Sequence, residues 1–73
     1  MLKNEKKILA LKGAPENIVI GLPAIVFALS ADGTMKWQRT SPVIDWSLTV
    51  WGDFKLITKN STYYGRKVKF CTD

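Results

Sequence analysis

The sequence predicts an all-β domain of five to seven short strands, forming a small antiparallel barrel or a two-sheet sandwich. Turn-forming pairs such as Asp32-Gly33, Ser41-Pro42 and Gly52-Asp53 recur at the spacing of short strands. The segments between them are too short for ordinary helices and are rich in residues that suit a pleated, half-buried surface. The last segment, Arg66–Thr72, alternates charged and apolar residues, as a strand with one buried face does.

Taken in chain order, each segment between turn signals gives one expected strand. These strands are Lys7–Lys12, Ile18–Gly21, Ala24–Ala31, Thr34–Thr40, Val43–Trp51, Phe54–Lys59 and Arg66–Thr72. The first segment has an alternative, a short N-terminal helix, because Leu, Lys and Glu are good helix formers. The third segment is apolar at nearly every position, which predicts a central strand buried on both faces.

Two hairpins can be given a register from sequence. Asp32-Gly33 supplies the positive-φ pair of a two-residue turn, which places Ala28 opposite Trp37. In the next hairpin a two-residue loop would put lysines on the apolar face. We therefore expect a three-residue loop, Trp51–Asp53, with Trp51 exposed at its tip.

Length and composition predict a single domain, residues 1–73, with a thin core. A chain of 73 residues buries about 60% of its extended surface on folding. Cys71 is the only cysteine and there is no histidine, so neither a disulfide nor a zinc site has its ligands. Stability is therefore expected to come from packing or from association with a partner.

The residues needed for catalysis are missing from the sequence. Histidine, the commonest general base, is absent. Two of the six carboxylates, Asp32 and Asp53, stand in turns, where Asp is favoured for local backbone reasons. The glycines are scattered singly and form no phosphate-binding loop. We therefore expect no enzyme, no catalytic or metal-binding residues and no cofactor.

Positive charge is concentrated near the end of the chain. The net charge is +5, and residues 54–73 carry five of the cations against one carboxylate. Cations near exposed aromatic rings are the ingredients of a single-stranded nucleic-acid site, and an exposed Trp is typical of protein interfaces. The lysines also fit a simpler interpretation, the solvated face of an edge strand. The candidate interface residues are Trp51, Tyr63, Tyr64, Lys55, Lys59, Arg66, Lys67 and Lys69.

These features leave three hypotheses for function. The first is a non-enzymatic structural or accessory subunit of a larger assembly, such as a cement-like or connector protein of a virus particle. Its partner would be another protein or a further copy of the chain. The second is a basic module that binds single-stranded nucleic acid. The third is a small phage-type protein that inhibits a host enzyme.

The longest apolar stretch, residues 17–30, does not predict a membrane span. A spanning helix needs about 20 apolar residues, and Gly21 and Pro23 interrupt this segment. The single free thiol suits a reducing compartment. We therefore expect the protein to act inside the cell or in a virion.

Overall fold

The computed structural model describes residues 4–72, and nearly all of its regular secondary structure is β-strand. The strands are β1 (Asn4–Lys12), β2 (Ile25–Leu29), β3 (Met35–Arg39), β4 (Val43–Leu48), β5 (Asp53–Thr58), β6 (Ser61–Arg66) and β7 (Lys69–Cys71). A single 3-10 turn, Pro15–Asn17, follows β1. The all-β prediction is confirmed, and the N-terminal segment forms a strand rather than a short helix. No helix within residues 4–72 is long and apolar enough to cross a membrane.

The strands form one mixed sheet in the order β3-β2-β1-β6-β5-β4, with β7 added to β1. β1 pairs antiparallel with β2 but parallel with both β6 and β7. The prediction of a wholly antiparallel sheet is therefore wrong at the centre. β6 is antiparallel to β5, to which a tight hairpin joins it, and parallel to β1 on its other side.

The sheet is not closed into a barrel, because its two edge strands do not pair with each other. A short connection joins β3 to β4, but residues 21–24 lie between them and take up the backbone hydrogen bonds there. Thr40 N–H donates to Ala24 O (2.8 Å), and Gly21 N–H donates to Val43 O (2.8 Å). A loop, and not strand pairing, therefore fills the gap between β3 and β4. The sheet bends about β1 into two halves.

The core lies between these two halves. Its buried residues come from β1, from strands on both sides of it and from the β6–β7 link, and they are Ile8, Leu11, Val26, Ala28, Val43, Phe54, Leu56, Tyr63 and Val68. Phe54 is fully buried and meets Phe70 edge-on, with ring centroids 5.5 Å apart. Val68 and Phe70 therefore point inward, as their alternation with lysines predicts.

Three expected strands differ from the structure. Arg66–Thr72 is not one continuous strand, because Arg66 ends β6, Lys67 has φ 50°, and only Lys69–Cys71 forms β7. Ile18–Gly21 is not a strand but part of the loop that bridges the sheet edges. Ala24–Ala31 was expected to be central and buried on both faces. β2 instead lies next to the edge strand β3, and only Val26 and Ala28 are buried.

Both hairpin loops have three residues and end in a glycine with positive φ. In the first, Ser30 N–H donates to Thr34 O (2.7 Å) and Gly33 has φ 88°. This is a turn with a bulge, so the expected two-residue loop is wrong and Phe27, not Ala28, lies opposite Trp37. The second loop has the expected length but spans 50–52, one position earlier than expected.

Candidate functional site

The outer side of β2 and β3 carries a row of apolar side chains that no other strand among residues 4–72 covers. We call it the apolar face, and it consists of Ile25, Phe27, Leu29, Met35 and Trp37. Strand alternation places these side chains opposite to the buried Val26 and Ala28. Phe27 and Trp37 are cross-strand partners with ring centroids 5.3 Å apart. Trp37 remains open to solvent, with 47% of its surface exposed.

Three cations border the apolar face at its Ile25 end and on its β1 side. Arg39 is the register partner of Ile25, and Lys69 pairs with Ala10, which in turn pairs with Phe27. Lys12 lines a groove of about 410 Å³ together with Ile25, Trp37 and Cys71. This side of the molecule therefore combines an apolar centre with a positive rim.

A second surface lies on the outer side of β1, β6, β5 and β4. We call it the basic groove, and its charged and aromatic residues are Lys7, Asp53, Lys55, Tyr64 and Arg66. Tyr64 is the register partner of Lys7 on one side and of Lys55 on the other. The groove measures about 600 Å³, and the hydroxyl-bearing Ser47 and Thr49 complete one wall.

One ion pair lies within the basic groove. Arg66 Nε is 3.1 Å from Asp53 Oδ1, and the two residues are register partners on adjacent strands. Both side chains are solvent-accessible, and such exposed pairs add little stability. Asp53 is therefore engaged by Arg66, whereas Lys7, Lys55 and Tyr64 lie outside this ion pair.

The structure divides the eight sequence-derived interface residues among several places. Tyr64, Lys55 and Arg66 meet in the basic groove. Trp51 is 77% exposed in the β4–β5 loop, and Lys67 N–H donates to Gly52 O (2.8 Å) beside it.

The other three predicted residues lie elsewhere. Tyr63 is only 4% exposed and belongs to the core, with the Lys6 ammonium 6.0 Å from its ring centroid. Lys59 follows β5 at the opposite end of the strand, where its N–H donates to Pro42 O (3.0 Å). Lys69 stands at the rim of the apolar face.

Sequence reasoning missed Lys7 and the apolar face. Lys7 reaches Tyr64 only through the parallel pairing of β1 with β6, which joins segments more than fifty residues apart. No local pattern signals such a contact. The apolar face was missed because the run 24–31 reads as a strand buried on both sides.

Metal-binding groups do not converge in the part of the chain that the structure describes. Within residues 4–72, no three His, Cys, Asp or Glu side chains lie close enough to hold an ion. Cys71 is a half-buried free thiol.

By its fold, the chain is a small all-β protein built on an open, mixed seven-stranded sheet. No protein-family model, curated protein or solved structure matches it. Its function has to be inferred from its own surfaces.

Proposed function

We propose that the protein is a non-enzymatic subunit of a larger protein assembly, in which a partner protein covers the apolar face. The observation that carries this proposal is the exposure of Ile25, Leu29 and Trp37, each 40–47% accessible on two adjacent strands. Burying apolar surface contributes about 25 cal/mol per Å². Large contiguous apolar patches on soluble proteins mark interaction sites.

The rim of the apolar face defines the chemistry of the partner. Lys12, Arg39 and Lys69 carry like charges around it. Two copies that met through this face would bring six cations together, which costs free energy. The favoured occupant is therefore a different protein with an apolar centre and carboxylates at its periphery.

Several kinds of assembly would use such a surface. A cement-like or connector subunit of a virus particle needs one rigid complementary face and no catalytic group, and so does a phage-type inhibitor that occludes a host enzyme. We place the virus-particle subunit first, on chain size and composition alone. In either case the protein would act inside the cell or in the virion.

The test compares the protein in its native complex with the free chain. Hydroxyl-radical footprinting of both should show that the partner protects Trp37 and leaves Trp51 accessible. Trp37→Ser should then weaken incorporation by about 2 kcal/mol, which is roughly 30-fold, because aromatic residues dominate interface energies. Trp51→Ser is the matched control, an exposed Trp outside the apolar face, and should assemble normally.

Two results would contradict the proposal. One is equal oxidation of Trp37 in the complex and in the free chain. The other is normal incorporation of a folded Trp37→Ser variant. Sedimentation of the free chain distinguishes a different protein from a second copy of this chain as the partner. Self-association that Trp37→Ser abolishes would identify the second copy.

A further inference from the structure

We infer that the basic groove binds single-stranded nucleic acid, with Tyr64 as a stacking platform and the flanking cations as phosphate contacts. This site is separate from the apolar face and is formed by a different set of strands. The inference does not depend on the proposed assembly function. It concerns the chain's own residues on β1, β5 and β6.

The centre of the groove is an aromatic ring between two cations. Lys7 and Lys55 are the register partners of Tyr64 on the two neighbouring strands. Strands in a sheet lie about 4.8 Å apart, so the two lysine backbones are about 10 Å apart with the ring between them. Tyr64 is 46% exposed. A base can therefore stack on the ring while the ammonium groups contact phosphates on either side.

The positive surface continues along β6 from this centre. Arg66 is two residues beyond Tyr64 on the same face, about 7 Å along the strand. Its side chain is 85% exposed, and Asp53 contacts it through Nε. Lys67 and the exposed Trp51 follow at the loop end, joined by the Lys67 hydrogen bond to Gly52. The groove and the adjoining loop end together thus present two exposed aromatic rings and four cations, with Asp53 as the one carboxylate among them.

The composition of the groove favours nucleic acid over an acidic protein. Tyr64 occupies its centre, and Ser47 and Thr49 supply hydroxyl groups that bond to phosphate or sugar oxygens. The described residues that line the groove include no Leu, Ile, Val or Met, the aliphatic side chains that an acidic protein partner would contact. A sheet surface with a half-exposed ring requires unpaired bases, because stacking on the ring needs a free base face.

The number of cations sets the expected salt dependence. Each phosphate contact to a single strand changes log K by about −0.7 per unit of log salt concentration. Three to four contacts predict a slope of about −2 to −3. Affinity should then fall by about 20- to 50-fold between 50 and 200 mM salt.

The experiment measures fluorescence anisotropy of a labelled 12-nucleotide oligothymidylate with the full chain at 50 mM salt. Tyr64→Ala should weaken binding by about 5- to 150-fold, as expected for loss of base stacking. Tyr64→Phe keeps the ring and should bind within about twofold of the parent chain. Tyr64→Phe also keeps the test valid if Tyr64→Ala proves to be unfolded.

Matched lysine variants test the charge contribution. Lys55→Ala should weaken binding and make the salt slope shallower by about 0.7. Lys59→Ala removes the same charge outside the groove and should leave both values nearly unchanged. Trp37→Ser should leave oligonucleotide binding unchanged as well, so failure of this inference is distinguishable from failure of the assembly proposal.

Four outcomes would overturn the inference. The first is no detectable binding at 50 mM salt. The second is equal effects of Lys55→Ala and Lys59→Ala. The third is binding of a poly-glutamate peptide as tight as that of the oligonucleotide and insensitive to Tyr64→Ala, which would assign the groove to an acidic protein. Preference for a duplex of the same sequence would likewise exclude the stacking mode.

Discussion

At the scale of single residues, Asp32 organises the β2–β3 turn. Its Oδ1 accepts hydrogen bonds from Thr34 Oγ1 (2.7 Å) and from Thr34 N–H (3.1 Å). The side-chain bond, followed by the backbone bond, holds the pKa of Asp32 below its ordinary value, since both favour the ionised form. This stabilisation is present above the pKa of the unfolded chain and is lost as pH falls through the lower folded pKa.

Thr34→Val tests this arrangement. It removes the hydroxyl donor and keeps the backbone N–H, so the pKa of Asp32 should rise toward its ordinary value without reaching it. A carboxyl-detected NMR titration measures the change, and Thr72→Val, an exposed substitution remote in sequence, serves as the control. An unchanged Asp32 pKa in Thr34→Val would show that the hydroxyl bond is not formed in solution.

Trp37 shows how a single turn residue decides where an aromatic side chain goes. Asp32-Gly33 does signal a turn, as the sequence predicts, but the loop contains Ala31 as well. One extra loop residue shifts the register by one and places Trp37 beside Phe27 on the outer face. Local residue preferences predict that a turn forms at Asp32-Gly33. The length of its loop depends on how β2 and β3 pair, which the local sequence pattern does not show.

At the scale of elements, β6 (Ser61–Arg66) is the strand that the sequence analysis did not predict. Gly65 interrupts it, and glycine ordinarily weakens a strand. Here a Cβ at Gly65 would overlap the carbonyl oxygen of Ile8 and lie 2.7 Å from Val68 Cγ2. The glycine is required for close approach to β1, so a residue that ordinarily weakens a strand is the one that lets β6 pair with β1.

Gly65→Ala should therefore destabilise the protein by about 2 kcal/mol or more, because overpacking at a backbone contact has no easy relief. Urea denaturation followed by tryptophan fluorescence measures this. Ser47→Ala, at an exposed strand position, should change stability by less than about 0.5 kcal/mol.

A double variant separates the two contacts of the introduced methyl group. Val68→Ala removes the side-chain contact, but the Ile8 carbonyl is backbone and remains. Gly65→Ala/Val68→Ala should therefore be no more stable than Gly65→Ala. Wild-type stability in either variant would disprove the close approach of β6 to β1.

At the scale of the whole molecule, β1 is the central strand that joins the two halves of the sheet. It pairs with β2 on one side and with β6 and β7 on the other, whereas β3 and β4 are edges. Amides of β1 should exchange with solvent only on global unfolding, because opening them disrupts both halves of the sheet.

Native-state hydrogen exchange checks this expectation. The paired amides of β3 should open with a smaller free energy than those of β1, since β3 is held on one side only. Equal opening free energies for β1 and β3 would mean that the sheet opens as one cooperative unit.

The sequence predicts the whole molecule better than it predicts its surfaces. Six of the seven observed strands overlap expected ones, because turn residues and apolar alternation are local signals. The parallel pairing of β1 with β6 joins distant segments, and so the meeting of Lys7 with Tyr64 could not be predicted. Lys55, Tyr64 and Arg66 could be identified as candidates only from the concentration of cations and aromatic residues in the last part of the sequence.

The parallel pairing of β1 also constrains when the protein can reach its native state during translation. β1 is made early, but its partners β6 and β7 are among the last strands synthesised. Ile8 and Leu11 can be covered on both sides only after the ribosome has passed Cys71. Such long-range closure slows folding and leaves apolar surface open in the nascent chain. The growing polypeptide should therefore depend on chaperones until this segment leaves the exit tunnel.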